Sequence, residues 1–135
     1  MLFASYAQLK DSGDVDFTLY DPHAHTDSYV AVGLSQDKSM GDSSVMFCYT
    51  FKQLQDVGMS WNFKSTSVVL NKPKEGLTDY QVKYVDGTLS CSFRRRKNTN
   101  IDIPEYSTFK SFDLSQKYHL LLARGPVSEL SLIHI

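Results

Sequence analysis

Short runs of strand-forming residues, each ended by turn-forming residues, recur along this chain. Residues 28–35 are apolar on both faces and predict a central strand. Asp86-Gly87 lies between two alternating runs, residues 79–85 and 88–95, and is the strongest hairpin signal in the sequence. About eight such runs occur at the roughly 8–12-residue spacing of an antiparallel sandwich or barrel. The sequence therefore predicts an all-β fold with little helix.

The remaining segments give weaker patterns. Residues 53–59 are ambiguous, because two apolar residues fall at helical spacing in a window too short for a helix. Residues 97–104 are predicted to be a polar loop, and residues 117–123 a last strand ended by Arg124-Gly125-Pro126.

Length and charge limit the class of protein. A chain of 135 residues is one ordinary domain, and its net charge of −1 argues against nucleic-acid binding, which needs a basic face. No apolar run approaches the roughly 18–20 residues of a membrane-spanning helix, and no signal-peptide pattern is present. We expect a lead-in at residues 1–11, a domain at 12–126, and a tail at 127–135. The apolar tail is either a docked last strand or, the interpretation we favour, the edge of a fragment.

The two cysteines, Cys48 and Cys91, both lie in strand-like runs. They are either two small buried thiols or one disulfide joining two strands in an oxidising compartment. Their spacing does not decide between these alternatives, because pairing depends on geometry. With four histidines, they match no zinc template.

Charged and imidazole side chains outside the strand cores have plain structural interpretations. Residues 94–97 (RRRK) are predicted to be a solvated strand end, and Asp14, Asp16 and Asp21 to face outward from a strand. His23 and His25 are two residues apart and are expected in an exposed loop rather than on a metal.

Two residues are chemically unusual for their surroundings. No nucleophile elbow, phosphate loop or acid–base carboxylate pair is present, so hydrolytic or transfer catalysis is unsupported. Met40, however, lies in a polar loop, and His119 lies in an apolar strand on the face of Leu121 and Ala123. Each alone is more often a partly buried or core residue. A thioether and an imidazole together are also the axial pair of low-spin electron-transfer haem.

Two segments carry a family resemblance. The central motif of DOMON domains is similar to residues 29–35 (YVAVGLS) followed by Asp37, 40–42 (MGD), Val45 and Cys48. The last conserved strand of that family resembles residues 118–126 (YHLLLARGP). Over roughly residues 12–126 the chain is similar to the DOMON domains of ferric-chelate reductases, also called stromal-cell-derived receptors.

The resemblance implies an immunoglobulin-like β-sandwich on the extracellular or lumenal side of a membrane. Cytochrome members of the family hold a b-type haem (heme b), and Met40 and His119 fall on the positions of its axial ligands. Tyr29, Phe47 and Tyr118 are candidates to line the pocket by their proximity in sequence.

The same resemblance implies partners. A transmembrane cytochrome b of a membrane-anchored parent protein would deliver electrons, and a ferric chelate or another acceptor would receive them. The alternative is a haem-free DOMON module that binds another ligand or a protein partner, since a fold does not fix a function. A structural, adhesion-like domain is a third and weaker alternative.

Overall fold

The computed structural model of the chain describes residues 2–35, 43–63, 66–70, 72–103, 108–129 and 132–133. These residues form twelve β-strands and no helix, which confirms the all-β prediction. None of the described segments is therefore a helix long and apolar enough to cross a membrane. The strands are β1 (Phe3–Gln8), β2 (Val15–Asp21), β3 (Ser28–Ser35), β4 (Ser43–Phe51), β5 (Leu54–Phe63), β6 (Thr66–Val69), β7 (Leu77–Val85), β8 (Thr88–Arg95), β9 (Asn98–Ile103), β10 (Thr108–Asp113), β11 (His119–Glu129) and β12 (Leu132–Ile133).

The strands build two main antiparallel sheets. One has the order β1-β2-β8-β7, and the other has the order β12-β11-β3-β4-β5-β6, while β9 and β10 form a separate two-stranded ribbon. The β7–β8 hairpin turns at Asp86 and Gly87, whose φ angles are 51° and 78°. Two positive φ angles in succession are the backbone that such a two-residue turn requires, so the sequence signal at this turn is confirmed.

The main core lies between the two sheets. Successive strand residues face opposite sides, so β2 and β8 each send every second side chain inward. Phe17 of β2 and Phe93 of β8 stack with ring centroids 5.6 Å apart. Val32 of β3 and Met46 of β4 complete the same buried cluster from the six-stranded sheet. This two-layer arrangement is the sandwich that the sequence predicts.

A second apolar cluster covers the opposite face of the six-stranded sheet. Tyr29 of β3 and Phe47 of β4 are buried there. Val127 of β11 and Val69 of β6, on strands to either side, belong to the same cluster. β12 contacts β6, so the sheet curls until its outer strands meet. Both faces of β3 and β4 are consequently buried, which explains why their sequences are apolar throughout.

A disulfide joins the two sheets. Cys48 of β4 and Cys91 of β8 are bonded, with a Cα–Cα distance of 6.5 Å, and both are buried in the main core. The alternative of two free thiols is therefore wrong. Disulfides persist in oxidising compartments, so the bond favours a secreted or lumenal domain.

The strand count exceeds the sequence prediction. β1 lies within the expected lead-in, β5 covers the ambiguous window at residues 53–59, and β9 and β10 occupy and follow the predicted polar loop. The sequence pattern does not indicate β1, because this strand has no regular apolar alternation. It is a largely exposed edge strand that pairs with β2.

The predicted end of the last strand at Arg124-Gly125-Pro126 is wrong, because β11 continues to Glu129. Gly125 lies opposite Tyr29, and a Cβ at this position would come within 3.0 Å of the tyrosine ring. Pro126 is tolerated where β11 is close to the sheet edge, since β12 begins to pair only at Val127. Gly125 and Pro126 therefore reflect local packing and do not end the strand.

Replacing both Cys48 and Cys91 by Ala should lower the free energy of unfolding by about 4 kcal/mol, the chain-entropy value for a 43-residue separation. Urea unfolding of the wild type and the double variant measures the difference. Dithiothreitol should destabilise the wild type comparably and leave the double variant unchanged. Equal stabilities of the two proteins without reductant would contradict this role of the bond.

Tyr29 should make stability fall at alkaline pH. Burial raises the pKa of its hydroxyl to about 12, whereas the unfolded chain releases this proton near pH 10. The stability that neutral Tyr29 contributes is thus complete below pH 10 and is lost as pH rises towards 12, by up to about 1.4 kcal/mol per pH unit. Urea unfolding between pH 9 and 11.5 should show a shallower decline for Tyr29→Phe. Equal declines would show that the hydroxyl titrates alike in both states.

Candidate functional site

His119 is the first residue of β11 and pairs with Ser35, the last residue of β3. Its side chain therefore projects at one end of the six-stranded sheet, on the face shared by Leu121 and Ala123. The residue is exposed, and no hydrogen bond or ion pair of its side chain is found within the described part of the chain. A histidine on an apolar strand without such a bond leaves its ring nitrogens available to a ligand.

The sheet beside His119 carries small side chains. Gly33 lies opposite Leu121, and Ser35, Ser43 and Asn62 continue the end of the same face across β3, β4 and β5. The serines and Asn62 are buried, and Asn62 Oδ1 has no hydrogen-bond partner among the residues that the structure describes. Small side chains and an unsatisfied buried acceptor fit a site that accommodates a further group.

Met40 lies outside the described residues. In the sequence it follows Ser35 by five positions and precedes Ser43 by three. Ser43 itself lies at the same end of the sheet as His119.

Tyr29 and Phe47 share the face of His119 but lie farther along it. Tyr29 is opposite Gly125, six residues after His119 on β11, which corresponds to about 20 Å along a strand. Phe47 pairs with Ala31, which is opposite Ala123 and so about 14 Å along β11. Both are buried in the second cluster, with ring centroids of Phe47 and Tyr49 5.9 Å apart. The structure brings these two residues together with each other and not with His119.

Tyr118 packs on the other side of the sheet, against the main core. Its ring stacks on Phe112 at a centroid distance of 4.9 Å, and its hydroxyl donates a hydrogen bond of 2.7 Å to the carbonyl oxygen of Asp113. Burial and the Asp113 carboxylate raise the pKa of the Tyr118 hydroxyl. The residue directly before His119 is thereby held in place by two separate contacts.

Arg95 is an unexpected charged residue in the core. The prediction of a solvated strand end is wrong for this residue, whose exposed fraction is 0%. Its Nε donates to Thr99 Oγ1 at 3.2 Å and its Cζ lies 5.1 Å from the Phe112 ring centroid, while Nη1 and Nη2 have no partner among the described residues. Loss of hydration lowers the pKa of the guanidinium to about 9, so it remains protonated at neutral pH. The alternation of Leu89, Cys91 and Phe93 places Arg95 on the same inward face, a signal already present in the sequence.

The opposite end of the sandwich holds an open cleft of about 570 Å³ between the β2–β3 connection and β11. Asp21, predicted to face outward, is instead buried there, and one of its oxygens accepts a 2.9 Å hydrogen bond from Arg124. The ion pair explains how a carboxylate is accommodated at that position. His23 and His25 line the cleft and are exposed. Within the described residues, no group of three or more His, Cys, Asp or Glu side chains is placed to hold a metal ion.

Comparisons with known proteins place this architecture in a family. The DOMON domain profile matches residues 2–125. "Ferric-chelate reductase 1" of Mus musculus is 32% identical over 101 residues, which cover 75% of this chain and 16% of the relative. The human protein of the same name is 27% identical over 126 residues, covering 93% of this chain and 20% of the relative, and the Bos taurus protein is 31% identical over 97 residues, covering 72% and 15%.

The chain thus spans no more than a fifth of the length of these curated relatives. No solved structure matches it. The profile match extends over nearly all of the chain, and the antiparallel sandwich agrees with it. On this evidence the chain belongs to the DOMON domain family.

Proposed function

We propose that this domain binds a b-type haem and transfers single electrons, and that Met40 and His119 would hold its iron. The observation that carries the proposal is the position of His119. It projects, exposed and without a hydrogen bond among the described residues, at the end of the sheet where the chain leaves β3 towards Met40. A bound haem would supply the one-electron change between ferric and ferrous iron, at a potential that a methionine–histidine pair raises.

The chain's own residues would prepare this site. The β3–β11 ladder fixes the backbone of His119 opposite Ser35, and the stacked and hydrogen-bonded Tyr118 fixes the residue before it. Gly33 and the buried serines present little bulk beside the imidazole. Such preorganisation keeps the ligand geometry constant during electron transfer, which requires no proton donor or acceptor from the protein.

Tyr29 and Phe47 would support the site from a distance. They fill the curled face of the six-stranded sheet beyond the small side chains and so exclude water from its far end. Surroundings that contain little water disfavour the extra positive charge of ferric iron. They would therefore raise the reduction potential, as the methionine–histidine pair does.

The cellular setting is part of the proposal. The Cys48–Cys91 disulfide favours an oxidising compartment, and the similar proteins are named ferric-chelate reductases. We infer an extracellular or lumenal domain of a larger membrane-anchored protein. In that protein a transmembrane cytochrome b is the electron donor, and a ferric chelate, reduced by one electron to its ferrous form, is the acceptor.

The domain, purified and supplied with haemin, should take up haem and give a low-spin b-type absorption spectrum that sharpens on reduction with dithionite. His119→Ala and Met40→Ala should each convert the iron to the high-spin form or abolish uptake, because each removes one axial ligand. Absorption spectra before and after dithionite measure both effects.

His25→Ala is the matched control, since His25 is also exposed but lines the cleft at the opposite end of the sandwich. This variant should keep the wild-type spectrum. A domain that takes up no haem would refute the proposal and favour a haem-free binding or interaction module. Haem uptake with unchanged spectra in both ligand variants would refute the assignment of Met40 and His119.

A further inference from the structure

Arg95 is a buried cation without an opposing carboxylate among the described residues. Its neighbours in sequence differ from it completely: Arg94 lies on the outer face of β8 with its Nε 2.8 Å from Asp16 Oδ1, and Arg96 is exposed. In the described part of the chain, Arg95 has a hydrogen bond to Thr99 and a ring contact with Phe112. A buried charge that no carboxylate among the described residues compensates is costly, so it points to a role that an apolar side chain cannot fill.

Arg95 lies at the His119 end of the main core. It pairs in register with Val15 of β2. Val15 and Tyr118 line a groove together with Leu34 and Leu120, the residues directly adjacent to Ser35 and His119. The Phe112 ring that the guanidinium contacts is stacked on Tyr118, the residue directly before His119. One aromatic layer and the strand β11 therefore separate the charge of Arg95 from the imidazole of His119.

A charge in this position acts across protein interior rather than across water. The core between the sheets has a low effective dielectric, and salt ions do not enter it, so the field of Arg95 is neither strongly reduced nor screened. Ferrous iron carries one positive charge fewer than ferric iron. A fixed cation nearby thus stabilises the reduced state relative to the oxidised state.

We propose that Arg95 raises the reduction potential of iron held at His119, through its electrostatic field and without touching the metal or its ligands. This inference rests on the proposed haem-binding function. Arg95 would then tune the reduction potential of the site. This role requires the charge of the guanidinium, and not only its packing or its hydrogen bond.

The size of the effect follows from the geometry of a sandwich. Sheets pack about 10 Å apart, which places a side chain of one sheet roughly 12 Å from a group bound just beyond the other. A unit charge at that distance, with an effective dielectric constant of about 20, changes the equilibrium constant between ferrous and ferric iron about tenfold. For a one-electron couple, a tenfold change corresponds to about 59 mV.

Spectroelectrochemical titration of the haem-loaded domain tests the inference. Arg95→Met should lower the reduction potential by the equivalent of about a tenfold change in the ferrous-to-ferric equilibrium. Arg96→Met is the matched control, because it removes the same charge from the same segment at the surface. Its effect should be several-fold smaller and should vanish in 0.5 M salt, whereas the effect of Arg95→Met should persist.

Arg95→Gln provides a second neutral variant, which can still hydrogen-bond Thr99 if Met disturbs the core. Thermal melting establishes that each variant is folded, and the absorption spectrum establishes that its axial ligands are unchanged. Potentials equal to the wild type in both Arg95 variants would overturn this inference while leaving haem binding intact. A wild-type domain that takes up no haem would overturn the proposed function and this inference together.

Discussion

The register between β3 and β11 is the constraint on which the rest of the structure depends. Eight consecutive pairs, from His119 with Ser35 to Pro126 with Ser28, align the two strands. Side chains alternate with a period of two, so a slip of one residue would turn His119 towards the main core and Leu120 to the curled face. The close approach of Gly125 to the Tyr29 ring opposes such a slip, because a Cβ opposite Tyr29 would lie only 3.0 Å from the ring and force it to shift.

The disulfide and the β3–β11 register determine different features of the fold. The Cys48–Cys91 bond ties β4 to β8 and so holds the two sheets together at the centre. The β3–β11 ladder then determines which side chains reach the end of the six-stranded sheet. A strand position paired with β3 suits a site whose role is to keep a geometry constant, since loops position side chains less accurately than strands.

Much of this architecture can be predicted from sequence. The central strands β3 and β4 and the β7–β8 hairpin are readable because two-sided burial and an Asp-Gly turn leave clear patterns. Edge elements such as β1 leave none, because most of their side chains are exposed and need no apolar alternation. Buried charged residues are also difficult to predict from local sequence patterns. Asp21 is compensated by Arg124 from a strand about a hundred residues away, a partner that no local window contains.

The candidate site is predictable only in part. His119 stands out as the lone imidazole in an apolar strand, but its pairing with Met40 comes from family resemblance, and Met40 lies outside the described residues. Closeness in sequence to the motif is what makes Tyr29 and Phe47 candidates to line the pocket. Closeness along a strand is a poor guide to closeness in space, since each residue adds about 3.3 Å.

The burial of Arg95 predicts which residues related domains should carry at position 95. Replacing buried charged groups by apolar ones of similar size is often neutral or stabilising by about 1–4 kcal/mol. Selection for a robust fold alone would therefore not retain an arginine at this position, whereas the proposed tuning of iron held at His119 would. Position 95 should consequently separate the family: DOMON domains that use haem should keep a cation there, and those that have lost the ligands should drift to Leu, Met or Phe.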